Sequence, residues 1–146
     1  MEKYDLISAK DCDIDFIKQI KLKTIFDFAQ NMSSKEKDII ITYVEGYVDK
    51  FLHEYKIISI NGKKCGIFLV RNFEDGYLLD ELYLLPEFRN KGIGSDIIKK
   101  AKGKYNKISL WVYKENLKAI SLYKRMGFLI SLDEKERFLM TYTKKW

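Results

Sequence analysis

The residues best suited to chemistry are Arg89-Asn90-Lys91-Gly92-Ile93-Gly94, which follow an apolar run, Tyr77–Leu85, and Pro86. Glycines at 92 and 94 carry no Cβ, so the backbone can approach a bulky ligand closely. The next residues start a helix, whose unpaired N–H groups and positive dipole end point into the same space. Arg89 and Lys91 add positive charge nearby. This pattern captures an oxyanion, and a diphosphate suits it. Two familiar phosphate motifs are excluded. A Walker loop, Gly-x-x-x-x-Gly-Lys-Ser/Thr, is absent, and a dinucleotide fingerprint needs a third glycine where this chain has Ile97. The loop also comes late in the chain, whereas that fingerprint follows the first strand of a parallel sheet. A plain strand-to-helix turn would use one glycine and have little need of the flanking cations.

The elements that must hold this loop are legible from hydrophobic period and turn chemistry. Tyr4–Ser8 reads as an opening strand. From Ile14 to Phe28 apolar residues recur at helical spacing, and Gln30-Asn31-Met32-Ser33 breaks the pattern. Ser33 or Ser34 starts a second helix that runs to about Leu52, with Glu36 placed for a capping box. Tyr55–Ile60 and Gly66–Val70 are β-rich runs split by the turn dipeptide Asn61-Gly62. Phe73–Gly76 makes another turn before the strand Tyr77–Leu85. A helix follows Gly94 with Ile93, Ile97, Ile98 and Ala101 on one face. Lys107–Val112 is a strand, and Asn116 caps a helix from Leu117 to Met126 that ends at Gly127. Phe128–Ser131 and Phe138–Tyr142 close as strands. The order βααβββαβαββ predicts an α/β (α+β) fold: a mixed sheet with helices on both faces. No linker or repeat interrupts residues 1–146, which read as a single domain.

Bulk properties narrow the class. The 146 residues are 47% hydrophobic and 33% charged, ordinary for a soluble globular chain. No stretch approaches a membrane span, and the N-terminus lacks the layout of a signal peptide, so the expected location is cytoplasmic. Cys12 and Cys65 form no Cys-x-x-Cys and are expected to be reduced and partly buried. With His53 as the one histidine, no zinc site is expected. The net charge of +6 comes from 23 Lys against 4 Arg. Base readout favours Arg, so nucleic acid is not the expected partner.

The segment Leu82-Tyr83-Leu84-Leu85-Pro86-Glu87-Phe88-Arg89-Asn90-Lys91-Gly92-Ile93-Gly94 resembles the signature of the GCN5-related N-acetyltransferase (GNAT) superfamily. Arg89, Gly92 and Gly94 match its Gln/Arg-x-x-Gly-x-Gly/Ala loop. The stretch Asn116–Phe128 resembles the family's downstream motif. The likeness is clear from about Leu78 to Ile130, and residues 1–70 fit by element order.

The resemblance implies a splayed strand pair that holds acetyl-CoA as co-substrate, and no metal. Backbone groups of Tyr83, Leu84 and Leu85 would bond the pantetheine arm. Asn90, Lys91, Gly92, Ile93, Gly94 and Ser95, with Arg89, would hold the pyrophosphate. Asn116 would bond pantetheine or cap its helix. Tyr123 occupies the position of the acid that protonates the leaving thiolate, and also reads as a packed helix aromatic. Glu81 is the candidate base, directly or through water. Asp80 should point to the other face of the strand unless a bulge reverses the pair. A glutamate that some relatives carry on the following strand is replaced by Trp111, which could form a substrate wall. Neither cysteine sits where a thiol nucleophile is suggested, so the amine attacks acetyl-CoA directly. The acceptor is an amine on a small molecule or peptide, and a homodimer is compatible with the sequence. Acids Glu45, Asp49, Glu54, Asp80 and Glu81 could attract a cationic amine, while Phe26, Phe28, Tyr43, Tyr47 and Phe51 read mostly as core. The rival reading is a non-catalytic acetyl-CoA-sensing or protein-interaction module on the same fold.

Overall fold

The structure, a computed structural model, describes residues 2–28 and 31–145, with Phe28 described in its backbone alone. The expected helix break at Gln30 and the packing of the Phe28 side chain lie outside the described residues. The elements are β1 (Asp5–Ser8), α1 (Ile14–Phe28), α2 (Ser34–Phe51), β2 (Tyr55–Ile60), β3 (Lys63–Phe73), β4 (Gly76–Leu84), α3 (Ile93–Lys104), β5 (Lys107–Tyr113), α4 (Leu117–Arg125), β6 (Leu129–Asp133) and β7 (Arg137–Thr143). That is the βααβββαβαββ order read from the sequence. The strands form one seven-stranded mixed sheet in the order β1-β2-β3-β4-β5-β7-β6. Strands β4 and β5 are parallel, while β1–β2, β2–β3, β5–β7 and β7–β6 are antiparallel.

Boundaries move where turns are tighter than their composition suggests. Asn61 and Gly62 both take positive φ, 51° and 78°, which is the twist that brings two strands straight into register. Pairing therefore starts at Ile60↔Lys63, and β3 is longer than the expected Gly66–Val70. Helix α3 begins at Ile93, not after Gly94, because Gly92 at φ 84° already serves as its N-cap.

The chain folds as two compact units, Met1–Leu69 with Glu81–Lys91, and Val70–Asp80 with Gly92–Trp146. In the first, α1 and α2 bury Ile17, Ile20, Val44 and Val48 with Ile57 of β2 and Ile67 and Leu69 of β3. Burying each such side chain contributes roughly 1.5–3 kcal/mol. Ser33 caps α2, accepting the Glu36 N–H at 3.1 Å while its hydroxyl reaches the Glu36 carboxylate. Tyr43 departs from expectation: it is 66% exposed, because it stands one residue, about a quarter-turn, off the Val44/Val48 stripe. Cys12 is likewise exposed, whereas Cys65 is buried in β3.

In the second unit, α3 buries Ile93, Ile97, Ile98 and Ala101, the face its period predicts. Strand β5 buries Ile108, Leu110 and Val112, and Phe128 and Met140 are fully enclosed. Among the described residues no helix is long and apolar enough to cross a membrane.

Candidate active site

The loop ahead of α3 is built from backbone rather than side chains. Pro86–Phe88 form a single 3-10 turn, and the chain then passes through Asn90 at φ 60° and Gly92 at φ 84°. Asparagine and glycine are the residues that enter the left-handed region at least cost. The first bond of α3 runs from Asp96 N–H to Gly92 C=O at 3.0 Å. The N–H groups of Ile93, Gly94 and Ser95 thus precede the helical ladder, and the cap at Gly92 has no side chain to occupy them. Residues Arg89 to Gly92 are exposed. The two cations are partly committed. Arg89 Nε donates to Leu84 C=O at 2.8 Å, and Lys91 lies 3.8 Å from Glu2.

The end of β4 is fixed just as tightly. Leu85 N–H donates to Cys65 C=O at 2.8 Å, and Leu85 C=O accepts from Phe88 N–H at 2.9 Å, so both backbone groups of Leu85 are engaged. Tyr83 C=O lies against Gly66 of β3, where a Cβ would come within 2.3 Å of that oxygen. Regular backbone alternation would then turn the Leu84 N–H toward the opposite edge of β4. The parallel register of β4 with β5 covers Tyr77↔Ile108 and Leu78↔Ser109 and ends there. Gly66 was not among the residues singled out above. Its signal is a glycine inside a strand, which marks a close backbone approach.

Glu81 is buried, at 6% exposure, within the first unit. Its Oε2 accepts from Tyr55 O–H at 2.6 Å and from Lys21 Nζ at 3.0 Å. Lys21 also donates to the Tyr55 oxygen at 3.0 Å and stands 4.1 Å from the centre of the Tyr47 ring. The other carboxylate oxygen, Oε1, is buried and takes no hydrogen bond from any described residue. Burial, then the adjacent Glu81 charge, push the Tyr55 phenol well above its ordinary range. Sequence reasoning missed both Lys21 and Tyr55. Lys21 had a signal: it stands on the buried stripe of α1 with Ile17 and Ile20, where a lysine breaks the pattern.

Asp80 belongs to the second unit and pairs with Arg71 at 2.8 Å. In that unit Asn116 caps α4 by accepting the Ala119 N–H at 3.2 Å. Tyr123 lies in the last turn of α4. There Phe128 N–H bonds Tyr123 C=O and Gly127 N–H bonds Lys124 C=O, both at 3.0 Å, with Gly127 at φ 92°. This double bond pattern is a Schellman cap, and it fixes the backbone that carries Tyr123. The Tyr123 ring rests 6.0 Å from that of Phe128. Burial raises its phenol above the ordinary value, and at neutral pH it carries its proton as an ordinary phenol does. Trp111 is covered by Arg137, whose guanidinium lies 3.7 Å over the ring. Among the described residues no group of three or more His, Cys, Asp or Glu side chains is placed to hold a metal ion.

Comparison with known proteins identifies the family and the fold. Residues 52–129 match the model of the acetyltransferase (GNAT) domain. An uncharacterized N-acetyltransferase of Methanocaldococcus jannaschii is 30% identical over 155 residues, an alignment that covers 93% of this chain. The chain spans 66% of that relative's length. Among solved structures, the PaiA N-acetyltransferase of Thermoplasma acidophilum in complex with coenzyme A superposes with a TM-score of 0.77 at 18% identity. The match covers 97% of this chain and 99% of that one. The spermidine N-acetyltransferase of Vibrio cholerae, in complex with CoA and spermine, gives 0.68 at 19% identity over 96% and 95% of the two chains. At those identities the structures speak for the fold, and the domain model speaks for the family. The chain belongs to the GNAT family of N-acetyltransferases.

Proposed function

We propose that residues 1–146 act as one N-acetyltransferase domain, moving an acetyl group from acetyl-CoA to a primary amine by direct attack. The observation that carries this reading is the uncapped N-terminus of α3, entered through Asn90 and Gly92. Its N–H groups, on Ile93, Gly94 and Ser95, would hold the cofactor pyrophosphate, with Lys91 and Arg89 beside them. The Leu84 N–H would polarise the thioester carbonyl, as an oxyanion-hole donor does. The commitment of both Leu85 groups makes that residue a brace for the strand end more than a partner of pantetheine. Asn116 is already used as a cap, so its further role toward the cofactor would fall to the amide nitrogen.

The acceptor enters as an ammonium and must lose one proton before its nitrogen can attack the acetyl carbon. Glu81 Oε1, reached through one water, would take that proton. The C–N bond then forms and the C–S bond breaks. Tyr123 would give its proton to the departing thiolate and regain one from the nitrogen, so each turnover releases a single proton. The burial of Glu81 is also what a non-catalytic cofactor-sensing module would tolerate, and amine-dependent turnover separates the two readings.

Cofactor choice is testable by equilibrium titration with coenzyme A, NAD and ATP. Coenzyme A at a hundredfold excess over its Kd should stabilise the folded state by about 2.7 kcal/mol. NAD and ATP should bind far more weakly. Equal or tighter binding of NAD would overturn the assignment.

A further inference from the structure

The ammonium of Lys21 has three protons, and all three are spoken for. One goes to Tyr55, one to Glu81 Oε2 at 3.0 Å, and the third faces the Tyr47 ring at 4.1 Å. Tyr55 is fully buried and its proton also goes to Oε2. Two donors thus converge on one oxygen of the carboxylate, and Oε1 has none among the described residues. A cluster serving stability alone would be expected to divide its donors between the oxygens, since buried polar atoms are nearly always partnered. Among the described residues, the charged and titratable groups against this site are Lys21 from α1, Tyr47 from α2 and Tyr55 from β2, and Tyr83 of β4 and Tyr43 of α2 act on Tyr55 through space. Lys21 is the one cation among them.

We propose that Lys21 and Tyr55 are positioning residues for acyl transfer, clamping Oε2 of Glu81 so that Oε1 is the single oxygen left to accept the amine proton. The proposal rests on the reading of Glu81 as the base. Both residues act through Glu81 and touch no substrate. Their effect on the reaction is electrostatic: without the ammonium, the buried Glu81 charge has only the phenol donor to meet it, which favours the protonated carboxyl in that variant.

The test is the pH profile of kcat at saturating acetyl-CoA and amine, for the wild type, Lys21→Met, Lys21→Arg, Tyr55→Phe and Glu81→Gln. The profile is repeated with a second amine of different basicity, so that a limb belonging to the enzyme can be told from one belonging to the acceptor. Lys21→Met should displace the acidic limb upward by about one to two pH units and recover much of its turnover at high pH. Tyr55→Phe should move the limb the same way by less, and Lys21→Arg should return it toward the wild type. A folded Lys21→Met enzyme whose turnover falls by the same factor at every pH would overturn the proposal. If Lys21→Met does not fold, Tyr55→Phe keeps the ion pair and decides in its place: a displaced limb supports the clamp, and an unmoved limb rejects it. Failure of the underlying reading looks different, because Glu81→Gln would then keep both the limb and the turnover.

Discussion

Tyr123 and Glu81 illustrate how differently two proposed proton carriers can be held. Tyr123 stands on a helix end stapled by a double hydrogen bond, with its ring against Phe128 and its phenol, pushed up by burial, carrying its proton at neutral pH. That suits an acid for a departing thiolate. Glu81 is instead enclosed, tied through one oxygen to a phenol and an ammonium. Removing the Tyr123 hydroxyl leaves the ring and its packing in place, so the folded state and the cofactor site should be little changed. Tyr123→Phe should lower kcat about a hundredfold, the lower range for loss of a general acid, and alter the Kd for coenzyme A by less than about threefold. Steady-state kinetics beside an equilibrium titration checks both halves. Unchanged kcat would remove Tyr123 as the acid.

At the scale of elements, much of the architecture is visible in the sequence because its signals are local. The period of α1, the Ser33 cap with Glu36, the Asn61-Gly62 turn and the Gly127 terminator each act over a few neighbouring residues. Gly127 makes this quantitative. Its φ of 92° lies where a side chain is strained, and it closes the helix that bears Tyr123. Gly127→Ala should therefore cost about 1–2 kcal/mol in denaturant unfolding, with no change in m-value. No loss would mean that the end of α4 can be rebuilt without a left-handed residue. The candidate site was less legible, for a physical reason. Arg89–Ser95 is a contiguous loop and could be read whole. The Lys21–Tyr55–Glu81 cluster joins residues 60 and 26 positions apart, which no periodicity connects. Tyr43 is an exception among the aromatics read mostly as core: aromatics four apart along a helix suggest a buried stripe, whereas the stripe here passes through Val44 and Val48.

For the whole molecule, a seven-stranded mixed sheet places the loop proposed to hold the pyrophosphate after β4, and the register of β4 with β5 stops at Leu78↔Ser109. The domain match establishes the family, and the net charge of +6 suits a polyanionic cofactor. Turnover is the property that joins the proposed roles of loop, acid and base. The most direct measurement is release of free thiol from acetyl-CoA by the purified protein, with and without a panel of primary amines that includes polyamines, amino acids and peptides. N-acetyl transfer predicts thiol release that depends on at least one amine, in equal amount to the acetylated amine detected by mass spectrometry. Tight binding of acetyl-CoA with no amine-dependent release across the panel would contradict it and favour the sensing module.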